Sequence, residues 1–328
     1  MINADLMKCL ADGLFHSGEA LGARLGVTRA AVWKQIQHLT ELGVEIESVR
    51  GKGYRLVHAQ HLLSADRIRE HLSELGAAPL GRIDLFVEID STNQYLLERS
   101  VEAGVHRSAC LAELQTAGRG RRGRRWFSPF ARNLYLSMGW RFDSGVGALE
   151  GLSLAVGVAL CRALEPLQIP GLGLKWPNDV LVGMEKAAGI LIELSGDVDT
   201  VCEVVIGVGI NVRMPDSANA EIDQAWVDLE TASGLDVDRN WLAARVLCEL
   251  TRMLEGFSDT GFAGVRDAWH NLHLHGGSPV RVLVGDREVH GVVLGVDAQG
   301  GLRLDTPEGE RVFKGGEVRL RAIDAAGF

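Results

Sequence analysis

Residues 115–133 read Gln-Thr-Ala-Gly-Arg-Gly-Arg-Arg-Gly-Arg-Arg-Trp-Phe-Ser-Pro-Phe-Ala-Arg-Asn, and the reading of this stretch decides the rest. Gly118, Gly120 and Gly123 satisfy the G-x-G-x-x-G fingerprint of dinucleotide-binding folds, and Asp143 lies near the spacing at which that fingerprint places its acid. The fingerprint also requires a helix opening at the last glycine, with its N-terminus facing a pyrophosphate. Arg124 to Asn133, with Pro129 inside it and a poor helical pattern, does not supply one. What remains is a flexible glycine loop carrying Arg119, Arg121, Arg122, Arg124 and Arg125 within seven positions. Guanidinium groups crowded this closely repel one another unless an anion sits among them, so the loop suits wrapping a polyanion. A run of charge is ordinarily a solvated face. Here the chain carries a net charge of −9, and residues 63–328 hold 27 Lys/Arg against 37 Asp/Glu, so the loop is a basic exception in an acidic surrounding.

A second cluster follows the loop. Lys175-Trp176-Pro177-Asn178-Asp179 ends one strand and makes a turn, Lys186 enters the next, and Ala187-Ala188-Gly189-Ile190-Leu191-Ile192-Glu193 continues it. A strand-end lysine, a turn aspartate and a second lysine form a cation and metal-ligand set at one sheet edge, the kind that holds phosphates and Mg²⁺. Each alone reads as a surface residue. With the arginine loop they suggest nucleotidyl transfer.

Around these motifs, 328 residues predict two or three folded units, and 46% hydrophobic with 23% charged residues excludes a disordered or fibrous chain. The apolar run Leu152 to Cys161, closed by Glu150 and Arg162, falls short of the ~20 residues a membrane span needs. The first residues lack a basic start before an apolar block, which predicts no secretory signal and a cytoplasmic protein. The five cysteines are odd in number and scattered, and read as reduced core thiols.

Residues 1–62 carry seven Lys/Arg and six Asp/Glu. Ile2, Leu6, Leu10 and Leu14 recur at helical spacing, Gly18 to Leu25 forms a second helix, and Thr28 caps a third over Arg29 to Leu42. Val32, Ile36 and Leu39 face inward there, leaving Arg29, Lys34, Gln35 and His38 outward. Two β-prone runs joined by Arg50-Gly51-Lys52-Gly53 add a basic wing, which favours a winged helix-turn-helix that enters a major groove over a bland packing module. From His61 a linker becomes a helix. The middle of the chain alternates β-rich runs with helices near 92–103, 148–165 and 239–256, giving a mixed sheet with helices on it. From Val280 onward, strand-length runs broken by Gly285-Asp286, Asp297 to Gly301, Pro307 to Gly309 and Gly315-Gly316 predict a small barrel of about five strands. The expected class is α+β, with units at 1–62, 63–272 and 273–328.

The run QTAGRGRRGRRWFSPFARNLYLSMGW, with KWPND, EKAAGILIE, VIGVGINV and the earlier DSTNQYL, resembles bacterial biotin protein ligase. The helix-turn-helix with its GKGY wing makes the chain similar to the bifunctional form that is also the biotin operon repressor. The resemblance covers essentially the whole chain and implies a biotin/lipoate ligase-like central domain and an SH3-like C-terminal barrel. The implied reaction has two steps: biotin and MgATP give biotinyl-5'-adenylate and pyrophosphate, and a lysine of a biotin carboxyl carrier protein, an acetyl-CoA carboxylase subunit, then attacks the acyl carbon.

By the same resemblance, Lys186, Arg121, Arg119, Lys175 and Asp179 are the catalytic set, with Asp179 toward the metal. Ser91, Thr92, Asn93, Gln115, Gly118, Arg119, Gly120, Arg121, Lys186 and Gly189 take biotin, although Ser91 to Asn93 also read as a helix N-cap cluster. Arg121, Arg124, Trp126, Lys175, Asn178, Lys186, Asn211 and Trp226 take the nucleotide, and Met214 to Trp226 reads as a loop that orders over adenine. Thr28, Arg29, Ala30, Lys34, Gln35, Arg50, Lys52 and Arg55 take operator DNA, bound by an adenylate-dependent homodimer. Ala187 departs from the pattern, which more often has a larger aliphatic residue there. Two rivals stay open: a lipoate or octanoate ligase on a similar fold, and a DNA-binding biotin sensor without transferase activity.

Overall fold

The chain was analysed as a computed structural model that describes residues 4–57, 62–196, 201–284, 287–314 and 318–322. Ile2, the linker start at His61 and the turns expected at Gly285-Asp286 and Gly315-Gly316 lie outside these residues. The first unit holds α1 (Ala4–Leu10), α2 (Gly18–Leu25), α3 (Arg29–Glu41) and the hairpin β1 (Ile46–Val49) and β2 (Gly53–Leu56). Ser17 caps α2 by accepting the Ala20 N–H, and Thr28 caps α3 by accepting the Ala31 N–H at 3.2 Å. Gly26, at φ 65°, supplies the left-handed residue that ends α2 and starts the turn. Leu6, Leu10, Leu21, Val32, Ile36, Leu39 and Leu56 form the core. Leu14 is not among them: α1 ends at Leu10, the helical spacing lapses, and Leu14 is exposed. Gln35 also departs from expectation, since its Oε1 is buried without a partner rather than turned to solvent. Tyr54 pairs with His16, fastening the wing to the turn before α2.

The second unit is built on α4 (Ala65–Glu74), β3 (Ile83–Phe86), α5 (Thr92–Ala103), β4 (Ser108–Ala112), β5 (Leu134–Phe142), α6 (Leu152–Leu164), β6 (Leu172–Lys175), β7 (Asp179–Val182), β8 (Glu185–Gly196) and β9 (Cys202–Ile210). It continues through α7 (Ala218–Glu221), α8 (Leu229–Ser233), α9 (Arg239–Thr260) and α10 (Arg266–Leu272). Its seven strands run β3-β4-β5-β9-β8-β7-β6, with β3 and β4 parallel and every other neighbour antiparallel. Alternation along β9 sorts the two faces. Val204, Ile206 and Val208 enter the large core with α6 and α9, whereas Val205 packs with Leu96 of α5 on the other side. One helical run, residues 147–167, is apolar and long enough by composition to cross a membrane; in this fold it is the central core element that contains α6, and eleven of the thirteen α6 residues are buried.

The last unit carries β10 (Pro279–Val284), β11 (Arg287–Val296), β12 (Leu302–Thr306), β13 (Gly309–Phe313) and β14 (Val318–Ala322) in the order β13-β12-β11-β10-β14, all antiparallel. Here the barrel expectation needs correction: among the described residues β13 and β14 do not pair, so this is a five-stranded sheet that is not closed. A bulge between Val293 and Gly295 bends β11, and Gly295 at φ 115° makes that bend accessible. Val280, Val282, Leu302 and Leu304 share one core with α6 and Trp176, whose indole N–H donates to the Gly300 carbonyl at 2.9 Å. The first unit also rests on the second, because Leu114, Phe130 and Ala131 complete its apolar core and His38 meets Glu88 at 3.3 Å.

Candidate active site

The face of β9 that carries Val205 continues as Gly207 and Gly209. A Cβ on Gly207 would collide with the Asn93 amide, and one on Gly209 with the Trp126 indole, so these glycines let two side chains lie directly on the sheet. Beside them opens a narrow slot of about 60 Å³ lined by Ser91, Thr92, Asn93, Gln115, Arg119 and Gly189. Ser91 caps α5, and Thr92 and Asn93 begin it, so the helix start fixes all three. Gln115 Oε1 accepts the Thr92 N–H at 2.9 Å and meets its hydroxyl at 3.1 Å. Ser137, fully buried on β5, lies 2.7 Å from Thr92 Oγ1 and 2.5 Å from Asn93 Oδ1. This is a neutral array of donors and acceptors, suited to a small head group that is itself polar and uncharged.

Gly120, Arg121, Trp126, Asn178 and Lys186 line both this slot and a second, wider cavity of about 850 Å³. The wider cavity adds Arg122, Arg124, Arg125, Lys175, Asp179, Asn211 and Trp226. Most of the cations therefore gather in the wider cavity, with the acids Asp179, Glu221 and Asp223 among them, and the uncharged polar side chains Ser91, Thr92, Asn93 and Gln115 gather in the slot. Lys186 stands at the seam: its Nζ lies 2.6 Å from Asp179 Oδ1 and 5.3 Å from the centre of the Trp126 ring, with 15% of the side chain exposed. Arg121 donates to Asn178 Oδ1 at 3.0 Å, and burial, then the neighbouring Arg122, pulls its guanidinium below the ordinary value. An anion placed there would relieve both effects.

All but one of the residues expected to bind biotin or nucleotide line one of these two spaces. The exception is Gly118, which lies behind the wall: its carbonyl accepts the Trp126 N–H at 2.8 Å, and a Cβ would meet Ser128 Oγ at 2.8 Å. Three others also make contacts or take places that the sequence did not announce. Arg119 is engaged by Glu193 at 2.9 Å, whose carboxylate also accepts from Asn93 Nδ2 at 2.8 Å, so its charge ties the loop to β8. Asn211 donates to the carbonyls of Lys186 and Val227, clamping residues 225–227 against β8. Trp126 lies at the seam of the two spaces instead of on the nucleotide side alone.

Of the DNA set, Thr28 is occupied as a cap, and Arg55 is paired with Glu47 at 2.6 Å and stacked on Phe15, while Arg29, Ala30, Lys34, Arg50 and Lys52 are exposed. Sequence reading missed Ser137 and Glu193, since a lone serine or glutamate in a strand carries no signal. It also missed Trp33, 52% exposed on α3, where an aromatic residue reads as core.

Residues 4–55 match the family described as HTH domain, residues 85–211 the biotin/lipoate A/B protein ligase family, and residues 275–321 the biotin protein ligase C-terminal domain. The class is thus a biotin or lipoate protein ligase with a helix-turn-helix module. The bifunctional ligase/repressor BirA of Salmonella typhimurium is 44% identical over 97% of both chains, and that of Bacillus subtilis 32% identical over 93% of this chain and 94% of its own. The biotin protein ligase of Aquifex aeolicus in complex with biotin and ATP superposes with a TM-score of 0.63 at 32% identity, covering 74% of this chain and 100% of that one. This chain belongs to the bifunctional biotin protein ligase/repressor family.

Proposed function

We propose that this chain activates biotin with ATP, transfers it to a lysine of a biotin carboxyl carrier protein, and represses the biotin operon as an adenylate-bound homodimer. The observation that carries the reading is Lys186, a cation standing where a neutral polar slot opens into an arginine-lined cavity. Biotin's ureido ring offers one carbonyl and two N–H groups, which the Thr92, Asn93, Gln115 and Ser137 array can satisfy. Its carboxylate then points to the seam, and the triphosphate takes the wide end.

A carboxylate oxygen attacking the α-phosphorus brings two anions together while pyrophosphate leaves. Lys186, Arg121 and Lys175 oppose that charge from fixed positions, so they favour the transition state over the separated reactants. In the second step the carrier amine attacks the acyl carbon, AMP departs, and a C–N bond replaces the mixed anhydride.

The described residues contain no group of three or more His, Cys, Asp or Glu able to cage a metal, but Mg²⁺ uses one or two carboxylates and completes its shell with phosphate and water. Asp179 fits that partial role. When bound with the triphosphate, the ion neutralises phosphate charge.

The exposed Arg29, Lys34, Arg50 and Lys52 suit phosphate and groove contacts with operator DNA, and two copies on a two-fold site would act together. Both activities place the protein in the cytoplasm. The test incubates purified protein with labelled biotin, MgATP and an apo carrier domain, against lipoate and octanoate in place of biotin. Label should reach the carrier from biotin alone. Operator titration at fixed salt, without ligand, with biotin, and with biotin plus MgATP should tighten only in the last case; equal affinity in all three refutes the repressor switch.

A further inference from the structure

We propose that Trp33 reads thymine in the operator, by laying its indole against the C5-methyl group in the major groove. The inference rests on the operator-binding reading above and adds the residue and base that carry part of its specificity. Val32, Ile36 and Leu39 turn into the core of the first unit, so the opposite face of α3 presents Arg29, Ala30, Trp33, Lys34 and Gln37. Trp33 sits at the middle of that face, one turn after Arg29 and Ala30 and one turn before Gln37.

Among the described residues it is the only aromatic among the large apolar side chains left exposed. Among the described residues it stays 52% exposed, although His38, one turn and a residue further along the same helix, reaches the second unit at Glu88. A half-exposed indole between Arg29 and Lys34 on one helix face, in a unit whose wing adds the exposed Arg50 and Lys52, sits beside charge that draws DNA phosphates. The bases offer one apolar group at the major-groove edge, the thymine methyl, and that group has no hydrogen-bonding partner to find on Arg or Lys. Trp33 supplies the flat apolar surface that the neighbouring side chains lack. Ala30, one turn away, leaves room for the bases to approach.

The test uses the full chain with biotin and MgATP. A duplex recovered by selection from a random pool is resynthesised with each thymine replaced singly by deoxyuridine, which removes the methyl and nothing else. The parent should lose about three- to tenfold in affinity at one or two positions in each half-site, the effect of exposing an apolar contact of this size. Trp33→Ala should bind the thymine and uracil duplexes equally at those positions, and Trp33→Phe should keep part of the difference. The salt dependence of Trp33→Ala should equal that of the parent, because no phosphate contact is lost, whereas Lys34→Ala should lower the slope by about one. A methyl effect absent from the parent, or undiminished in Trp33→Ala, overturns the proposal while leaving operator binding intact. Loss of ligand-dependent self-association in Trp33→Ala without DNA would make the residue a protein contact and overturn it likewise. Failure of the parent to select any duplex overturns the operator reading itself, and the Trp33 assignment with it.

Discussion

Replacing Lys186 by alanine removes a cation that lines both the slot and the wide cavity and touches Asp179. With 15% of the Lys186 side chain and 19% of Asp179 exposed, the ammonium works in a partly dried setting. At an effective dielectric of about 20, two unit charges 4 Å apart interact by about 4 kcal/mol. Asp179 offsets part of that, leaving about 3 to 4 kcal/mol of transition-state stabilisation, which agrees with the ~10²- to 10³-fold loss on deleting a preorganised donor. Biotin-dependent exchange of pyrophosphate into ATP should fall by that factor.

Folding should suffer less. Asp179 loses its partner but keeps the attraction of the Arg121 charge, so stability should drop by about 1 to 3 kcal/mol, between the values for exposed and fully buried pairs. Lys186→Met, which keeps the stem over Trp126, separates charge from packing and should be as slow as the alanine variant. The decisive comparison supplies ready-made biotinyl-5'-adenylate: transfer to the carrier should be slowed less than activation. Exchange within tenfold of the parent, or equal slowing of both half-reactions, would refute the placement of Lys186 at the meeting point of carboxylate and α-phosphate.

Arg121→Gly, by losing the Asn178 contact and a guanidinium over the intermediate, should let labelled adenylate leak through rapid gel filtration, and undiminished retention would count against the arginine loop wrapping the intermediate. Ser137→Ala unseats Thr92 and Asn93 without touching the wide cavity, so KM for biotin should rise about tenfold or more while KM for ATP stays unchanged. Gly209→Ala should raise both KM values, because its Cβ displaces Trp126 from the seam; kinetics at parental level would show that the indole has room to move. Burial, then His275 and His270, pulls the His273 imidazole down to about 3, so it stays neutral in the fold while the unfolded chain protonates near 6.5. The stability from His273 is thus complete above about pH 6.5 and is lost as pH falls toward 3; His273→Phe should flatten that acid limb in denaturant titrations, and an unchanged limb would assign it elsewhere.

Local chemistry explains which parts of the fold and site were legible in the sequence. Thr28 as cap, Gly26 as stop and the Val32-Ile36-Leu39 stripe gave the recognition helix directly, because each acts within a few residues of chain. The arginine loop and Lys175 to Lys186 announced themselves by charge density in an acidic chain. What escaped was long-range. Glu193 meets Arg119 across 74 positions and Ser137 meets Asn93 across 44, and neither pairing leaves a trace in spacing. The family resemblance assigns Gly118 to biotin; in the fold it lies behind the wall, where the absence of a Cβ lets the Trp126–Ser128 segment pack against it. Leu14 followed the helical period of α1 past the point where the helix stops. The turn-rich C-terminal segment gave the right number of strands, whereas closure depends on whether β13 and β14 meet, which no turn signal encodes.

The measurement that bears most directly on the central claim is a single-turnover chase. The protein is loaded with radiolabelled biotin and MgATP, stripped of free nucleotide, and mixed with apo carrier protein in the absence of ATP. If the slot and the wide cavity join biotin to the α-phosphate at Lys186, label should be retained as adenylate and then pass to the carrier lysine without further nucleotide. Label that is never retained, or that is retained and remains on the protein when carrier is added, would contradict the account.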